Sequence, residues 1–186
     1  MVDAGLTPVL MRSAHSPTGT AVALVTPDSE RTFATHLGAA TELSADDLNV
    51  SHFKGYNILY VEGYLIYNLP LVEKAFRMAK ENHMCIALDL ASFNVVNEML
   101  PAFERIVSEY VDIVFANEEE ARAFTGLGPV DALNEIAKRC KIAVVKTGPD
   151  GSWIKRENEV IKVDALQVKA VDTTGAGDLY AAGFLY

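Results

Sequence analysis

The chain has 186 residues, of which 50% are apolar and 22% are charged, and this balance excludes an intrinsically disordered protein. Its 25 acidic residues outnumber its 16 Lys and Arg residues, and the net charge of −9 argues against a nucleic-acid partner, because that binding requires neutralisation of phosphates. No apolar run approaches the about 18 residues of a membrane-spanning helix, so no membrane partner is expected.

The cysteines and histidines show no pattern of a metal site. Cys85 and Cys140 lie within apolar segments, which is typical of reduced, buried thiols in a cytoplasmic protein, and the start of the chain lacks a signal-peptide pattern. The histidines are scattered without a Cys or His partner at metal-ligand spacing: His15, His36, His52 and His83.

The first 43 residues are predicted to form an entry segment and a β-hairpin with one exposed face. Residues 20–26 are β-branched and apolar, residues 31–36 alternate between polar and apolar, and residues 27–30 (PDSE) are typical of a turn. The pattern changes at residue 44, where Ser44 and Asp47 are typical of a helix start. We predict that residues 44–186 form a second domain.

The second domain alternates between apolar strands and amphipathic helices. Strands that are apolar on both faces, with helices between them, are typical of a mostly parallel sheet sandwiched by helices, so the predicted fold class is α/β. The predicted strands are residues 57–62, 84–90, 111–116 and 141–146, followed by a hairpin at 152–155 and 160–163. The predicted helices are residues 70–83, 95–110 with an interruption at Pro101, 118–124, 130–139 and 179–186.

The string DTTGAGD at residues 172–178 is the first candidate for chemistry. Gly175, Ala176 and Gly177 let the backbone approach a ligand closely, and the positive end of the following helix dipole favours an anion such as a transferring phosphoryl group. Asp178, in the first turn of that helix, is suited to accept a proton from an attacking hydroxyl. The alternative is a plain glycine-rich turn whose acid satisfies the helix dipole.

A second candidate is Asn117 with Glu120, directly after a predicted buried strand. Taken alone, the pair favours a helix capping box, with Asn117 as N-cap and Glu120 three residues later. The functional interpretation is compatible with this: at the carboxyl end of a parallel strand, an Asn and a Glu can organise Mg²⁺ near phosphates.

Other candidates also follow strands. Thr147 and Gly148 offer a hydroxyl and a bare backbone that suit a nucleotide phosphate, although a hairpin turn fully accounts for residues 149–151. Glu62 and Asp89 end strands and could hold a ligand hydroxyl, although exposed strand ends are the favoured interpretation. These strand ends and the helix N-terminus that follows Gly175 come from separate segments of the chain. They are expected to converge on one edge of a parallel sheet, and this convergence predicts a site there.

In their order and spacing these motifs resemble the ribokinase-like sugar and nucleoside kinases, the PfkB carbohydrate kinase family. The string at 172–178 is similar to the family signature, and residues 60–64 with 38–40 are nearest to its adenosine-kinase-like branch. Asn117-x-x-Glu120 and Thr147-Gly148-x-x-Gly151 resemble its metal and nucleotide motifs, and residues 16–21 through 38–40 resemble its lid strands.

The resemblance implies ATP- and Mg²⁺-dependent transfer of a phosphoryl group to a primary hydroxyl of a sugar or nucleoside. It implies that Asp178 is the general base and that the amides of residues 175–177 form an anion hole. It assigns Asn117 and Glu120 to Mg²⁺ and its water, and Thr147, Gly148 and Gly151 to the nucleotide.

Further expectations concern the residues that bind the acceptor, the site of a second cation and the surface of a homodimer. Glu62 is the candidate acceptor ligand, and the resemblance makes Asp172 and Thr174 candidates for a monovalent cation such as K⁺. The hairpin at 20–36 would be part of a lid that closes over the acceptor, and its exposed edge is a candidate homodimer surface.

Two alternative functions are weighed against the kinase. A nucleotide-binding fragment or pseudokinase is favoured by the length of the chain, since family members are longer and both ends are expected to belong to a larger fold. The isolated chain is accordingly expected to be a poor catalyst, whereas Asp178 favours an enzyme. An NAD-dependent oxidoreductase is disfavoured because residues 175–180 lack the third glycine of its fingerprint.

Overall fold

The computed structural model of the chain describes residues 5–26, 31–169 and 172–186. The chain forms two compact units, one built from residues 1–47 and 168–186 and the other from residues 48–167. The predicted turn at 27–30 lies outside the described residues. The predicted domain boundary after residue 43 stays a prediction.

The first unit contains a two-stranded antiparallel sheet, β1 (Thr18–Val25) and β2 (Arg31–Gly38). The hairpin pairing is therefore confirmed, with Thr20 opposite His36. The prediction of a single exposed face was wrong, because a two-stranded ribbon by itself offers no second layer that could bury one. Large apolar side chains are exposed on both strands: Val22, Leu24, Val25, Phe33 and Leu37.

The first unit also contains short helical elements. Short 3-10 helices cover Ala39–Glu42 and Ala45–Asp47. The Asp47 carboxylate accepts hydrogen bonds from the Ser44 amide at 2.8 Å and hydroxyl at 3.0 Å, so the predicted capping contact is present on a single 3-10 turn. The last helix of the chain, α5 (Ala176–Leu185), also belongs to this unit.

The second unit contains a six-stranded sheet whose neighbours follow chain order. The first four strands are parallel and the last two antiparallel, which confirms the predicted topology. The strands are β3 (Ile58–Glu62), β4 (Cys85–Asp89), β5 (Ile113–Asn117), β6 (Ile142–Lys146), β7 (Ser152–Arg156) and β8 (Glu159–Val163).

The helices of this unit are α1 (Leu69–Glu81), α2 (Phe93–Tyr110), α3 (Glu118–Thr125) and α4 (Pro129–Ile136). Further 3-10 helices cover Val50–His52, Gly63–Asn68 and Gly148–Asp150. Helix α2 is interrupted at Met99, where φ is −114° and ψ is 21°, which confirms the expected break because Pro101 cannot continue the hydrogen-bond ladder before it.

The core of the second unit lies around the central strands, which are buried on both faces, and fully buried side chains include Phe76, Phe103 and Phe115. In the part of the chain that the structure describes, no helix combines the length and the apolar character needed to cross a membrane. The two cysteines are free but only half-buried, not buried as expected, because they lie where β4 and β6 begin. Burial raises the pKa of both thiols, that of Cys140 to about 12.

The amino edge of the parallel sheet is organised by the buried Asp112. One carboxylate oxygen accepts hydrogen bonds from Lys80 Nζ and the Ile86 amide, both at 2.9 Å, and the other lies 2.9 Å from Lys141 Nζ. Burial alone would raise the pKa of Asp112, but the Ile86 amide and the two ammonium groups outweigh it and lower the pKa.

We expect Asp112→Asn to lower the free energy of unfolding by about 2 kcal/mol, because hydrogen bonds to charged groups contribute about 1.5–3 kcal/mol. Urea denaturation at neutral pH measures this. Since folding lowers the pKa of Asp112, its contribution is complete above the unfolded pKa of about 3.9 and is lost as the pH falls through the folded pKa. The difference between the two proteins should shrink only below about pH 4, and equal stability at neutral pH would contradict the assignment.

Candidate active site

The carboxyl ends of the four parallel strands lie side by side at one edge of the sheet. Glu62 is the register partner of Asp89 on the neighbouring strand, and Asn117 is the register partner of Lys146. Thr147 and Gly148 follow directly after Lys146. The predicted convergence of strand-end residues is therefore confirmed, at the edge where open α/β sheets bind ligands.

Asn117 and Glu120 form a reciprocal pair at the start of α3. The Glu120 amide donates to Asn117 Oδ1 at 2.9 Å, while the Glu120 carboxylate accepts from the Asn117 amide at 2.8 Å and from Asn117 Nδ2 at 2.7 Å. This is a complete capping box with an added side-chain contact. The helix start thus fixes the orientation of a buried carboxylate.

The environment of Glu120 disfavours its charged form. Burial raises the pKa of Glu120 to about 7, and the negative charges of Asp89 and Glu62 add to this effect, whereas the Asn117 amide and the positive charge of Lys146 oppose it. Two carboxylates, those of Asp89 and Glu62, thus raise the pKa of Glu120, and one ammonium group, that of Lys146, lowers it. Together with Glu120 itself, this makes three carboxyl groups and one ammonium group. A divalent cation would offset that excess of negative charge.

Sequence reasoning missed the partner that Lys146 provides for Asp89. Lys146 Nζ lies 2.7 Å from Asp89 Oδ2, and the two side chains are only 16% and 6% exposed. The other Asp89 oxygen accepts the Ala91 amide at 3.0 Å, and Ala91 has a left-handed φ of 63°. Asp89 is thus a buried structural acid and not an exposed strand end.

The chain segments after β3 and β4 are packed tightly against each other. A Cβ on Gly63 would lie 2.5 Å from the Leu90 carbonyl oxygen, so only glycine fits there. Tyr64 follows, and its pKa is raised by burial and by the charge of Glu120, although a hydrogen bond from Ser92 lowers it. Sequence reasoning singled out neither Tyr64 nor Ser92 as a site residue.

Glu62, the candidate acceptor ligand, ends β3. Its Oε1 accepts a hydrogen bond from the Tyr60 hydroxyl at 2.6 Å, which orients the carboxylate. Its charge is also one of those that raise the pKa of Glu120.

The two glycines of the turn after β6, Gly148 and Gly151, have different surroundings. The amide and hydroxyl of buried Thr147 both donate to the Gly151 carbonyl, at 2.8 and 3.0 Å. Gly148, with a φ of 54°, has open space where a Cβ would lie, so its backbone is accessible to a ligand. Gly151 has a φ of 90°, and a Cβ there would collide with the Val163 carbonyl at 1.9 Å, which explains this glycine by packing alone.

The residues of the glycine-rich string belong to the first unit, whereas Asn117 and Glu120 belong to the second. Gly175 precedes α5 with a left-handed φ of 75°, and Asp178 is exposed in the first helical turn. The Ala176 amide donates to the Thr173 carbonyl at 3.1 Å. Gly177, the third residue of the predicted anion hole, lies in the first turn of α5.

Asp172 and Thr174, the candidates for a monovalent cation, form a local turn of their own. Asp172 Oδ1 accepts hydrogen bonds from the Thr174 amide at 2.8 Å and from its hydroxyl at 2.7 Å. The role of these residues as ligands of a monovalent cation stays a prediction.

The residues at the carboxyl edge fit Mg²⁺ in their chemistry. Glu120 and Asn117 supply only oxygen ligands of the hard kind that Mg²⁺ prefers, and Mg²⁺ is usually held by one or two carboxylates together with water and phosphates. Among residues 5–26, 31–169 and 172–186, no three His, Cys, Asp or Glu side chains form a preassembled metal cluster.

Residues 3–186 match the family described as pfkB family carbohydrate kinase. A curated relative, the 5-dehydro-2-deoxygluconokinase of Clostridium perfringens, is 30% identical over 161 residues, which are 80% of this chain and 48% of the relative. The chain therefore spans about half the length of this relative.

The chain is also similar to solved structures of kinases. Adenosine kinase from Sinorhizobium meliloti is 37% identical with a TM-score of 0.86, over 91% of this chain and 54% of that one. A putative ribokinase II from E. coli, solved in complex with ATP and Mg²⁺, is 25% identical with a TM-score of 0.78, over 89% of this chain and 56% of that one.

Since the family match spans nearly the whole sequence, the chain belongs to the pfkB family of carbohydrate kinases. The structural similarity confirms the predicted ribokinase-like α/β fold, with its mostly parallel sheet, its helices and a small antiparallel sheet.

Proposed function

We propose that the intact protein transfers the γ-phosphoryl group of ATP to a primary hydroxyl of a sugar or nucleoside. The observation that carries this proposal is the grouping of Asn117, Glu120 and the turn after Lys146 at the carboxyl edge of the parallel sheet, in a chain of the pfkB family. ATP as donor is supported by the related E. coli structure, which was solved with ATP and Mg²⁺.

In this proposal the carboxyl edge of the second unit binds the nucleotide and its metal. A bound Mg²⁺ would neutralise phosphate charge there. Glu120 and Asn117 orient the metal and its water shell, and the fixed capping geometry of Asn117 holds the Glu120 carboxylate in one place. The bare backbone of Gly148 binds the nucleotide phosphates beside Thr147, whose amide and hydroxyl both donate to the Gly151 carbonyl and hold the turn that presents them.

The glycine-rich string supplies the catalytic groups. Asp178 accepts the proton of the acceptor hydroxyl, which makes the oxygen a better nucleophile. The amides of Gly175, Ala176 and Gly177 stabilise the charge that develops on the transferring group, in the manner of an oxyanion hole, and this requires the Ala176 amide to leave the Thr173 carbonyl. The exposure of Asp178 in the first turn of α5 supports this assignment, because a general base has to reach a substrate hydroxyl.

The proposal also assigns the residues that bind the acceptor, those that bind a second cation, and the surface through which two copies of the chain associate. Glu62 binds an acceptor hydroxyl, and the exposed sheet β1–β2 is a lid over the acceptor and a homodimer surface. Asp172 and Thr174 hold a monovalent cation such as K⁺. The similarity to an adenosine kinase of 37% identity supports the adenosine-kinase-like branch.

The test is acceptor-dependent ADP release by the intact protein with Mg-ATP. The acceptors are ribose, fructose, adenosine and 5-dehydro-2-deoxygluconate, which represent the acceptor classes suggested by the family and by the names of the relatives. We expect one of them to stimulate ADP release well above the rate without acceptor. Binding of Mg-ATP with no stimulation by any sugar or nucleoside would instead favour a nucleotide-binding module without catalysis.

A further inference from the structure

The ion pair between Lys146 and Asp89 differs from the other ion pairs among the described residues in its burial. Its partners are 16% and 6% exposed, whereas in every other pair at least one side chain is 40% exposed or more. Removing two charges from water is costly, so a buried pair contributes little net stability compared with apolar side chains of similar size. The presence of this buried pair therefore indicates that it fixes the positions of the residues around it.

The pair crosses the strand that carries Asn117. Asp89 ends β4 and Lys146 ends β6, and β5 lies between these two strands. Asn117 is the last residue of β5 and the register partner of Lys146. The ammonium–carboxylate contact of 2.7 Å thus links the strands on either side of the Asn117–Glu120 pair.

Asp89 also holds the segment after β4 in an unusual conformation. Its second oxygen accepts the Ala91 amide at 3.0 Å, and Ala91 has a φ of 63°, which is uncommon for a residue with a side chain. The next residue, Ser92, hydrogen-bonds Tyr64, and Gly63 packs on the Leu90 carbonyl. The ion pair therefore connects β6 to the segments that follow β4 and β3, and the latter carries Tyr64, whose pKa is raised by the charge of Glu120.

We propose that Lys146 and Asp89 are positioning residues whose ion pair keeps Asn117 and Glu120 in place for the nucleotide-bound metal. This inference rests on the proposed function, because it requires that the carboxyl edge bind a metal–nucleotide complex. Neither side chain has to touch the nucleotide in this arrangement. The role of the pair depends on both partners together.

A positioning role and a simple effect of charge predict different changes in Mg-ADP affinity for two substitutions. If the two charges acted independently through space, Lys146→Met would weaken the binding of anionic Mg-ADP and Asp89→Asn would strengthen it. A positioning pair predicts that both substitutions weaken binding, and that the double variant binds no worse than either single variant. Asn at position 89 keeps an oxygen for the Ala91 amide, so it removes the ion pair and spares the turn.

The experiment is calorimetric titration of the intact protein and its variants with ADP, with and without Mg²⁺. We expect each single variant to lose roughly 10–100-fold in Mg-ADP affinity, the range found for groups that orient metal ligands, and to keep its metal-free ADP affinity. Lys146→Arg should recover most of the loss. Lys80→Met is the matched control, because it removes a lysine from buried Asp112 at the opposite edge and should leave Mg-ADP affinity unchanged.

The outcomes separate this inference from the function on which it rests. Failure of the unaltered protein to bind Mg-ADP would overturn both. Normal Mg-ADP affinity in Lys146→Met and Asp89→Asn, or opposite effects of the two, would overturn the positioning role alone. Thermal unfolding of each variant identifies one that does not fold, and Lys146→Gln then replaces the methionine variant in the same comparison.

Discussion

Replacement of Asp178 by asparagine is expected to lower kcat by about 10²–10⁴-fold, the contribution typical of a positioned general base. Asparagine has nearly the same size but cannot accept the proton of the attacking hydroxyl. The affinity for Mg-ATP should stay within about twofold, because the proposed nucleotide-binding residues are unchanged. The measurement is steady-state phosphoryl transfer with the best acceptor, together with calorimetric titration of the nucleotide.

Asp131→Asn is the matched control for this substitution. Asp131 is also an exposed aspartate in the first turn of a helix, α4, but it lies outside the candidate site. If Asp178 served only to satisfy the helix dipole, the two variants would behave alike, with a small loss of stability and normal turnover. A normal kcat for Asp178→Asn would therefore contradict its assignment as the base.

Replacement of Glu120 by glutamine is expected to lower kcat/KM by roughly 10–100-fold at limiting Mg²⁺, because the neutral amide is a much weaker Mg²⁺ ligand than a carboxylate. Glutamine retains one oxygen, which can accept the hydrogen bond from the Asn117 amide, while the contact from Asn117 Nδ2 is lost. The cap should therefore survive, and part of the activity should return as the Mg²⁺ concentration is raised. A titration of the initial rate against Mg²⁺ measures both effects.

The neighbouring acids of α3 provide the control for Glu120. Glu118 and Glu119 are exposed in the same first helical turn, so Glu118→Gln and Glu119→Gln remove one charge each near the same helix end. Neither variant should change the Mg²⁺ dependence. An unchanged Mg²⁺ dependence in Glu120→Gln as well would contradict the metal role and would leave Glu120 as a capping residue only.

The carboxyl edge was predictable because its residues can be recognised from the local sequence. Asn117 and Glu62 each end an apolar run, and parallel topology brings the ends of such runs to one edge. The capping box at Asn117 and Glu120 was also predictable, since it depends on two residues three positions apart.

The pairing of Lys146 with Asp89 was not predictable in this way, because the two residues are 57 positions apart and meet only through the order of the strands. The terminal lysine of an otherwise apolar strand was the available signal, but its partner depends on tertiary structure. Similarly, the spacing of Gly148 and Gly151 suggested one shared role, whereas the contact of Gly151 with the Val163 carbonyl comes from the β7–β8 hairpin.

The central claim is tested most directly by following the γ-phosphoryl group of labelled ATP in the intact protein. The account predicts that the label appears on a hydroxyl of a sugar or nucleoside in equal amount to the ADP formed. It also predicts that this transfer is lost in Asp178→Asn while Mg-ATP still binds. Retention of label on ATP with every acceptor, or its release as inorganic phosphate alone, would contradict the assignment of this protein as a sugar or nucleoside kinase.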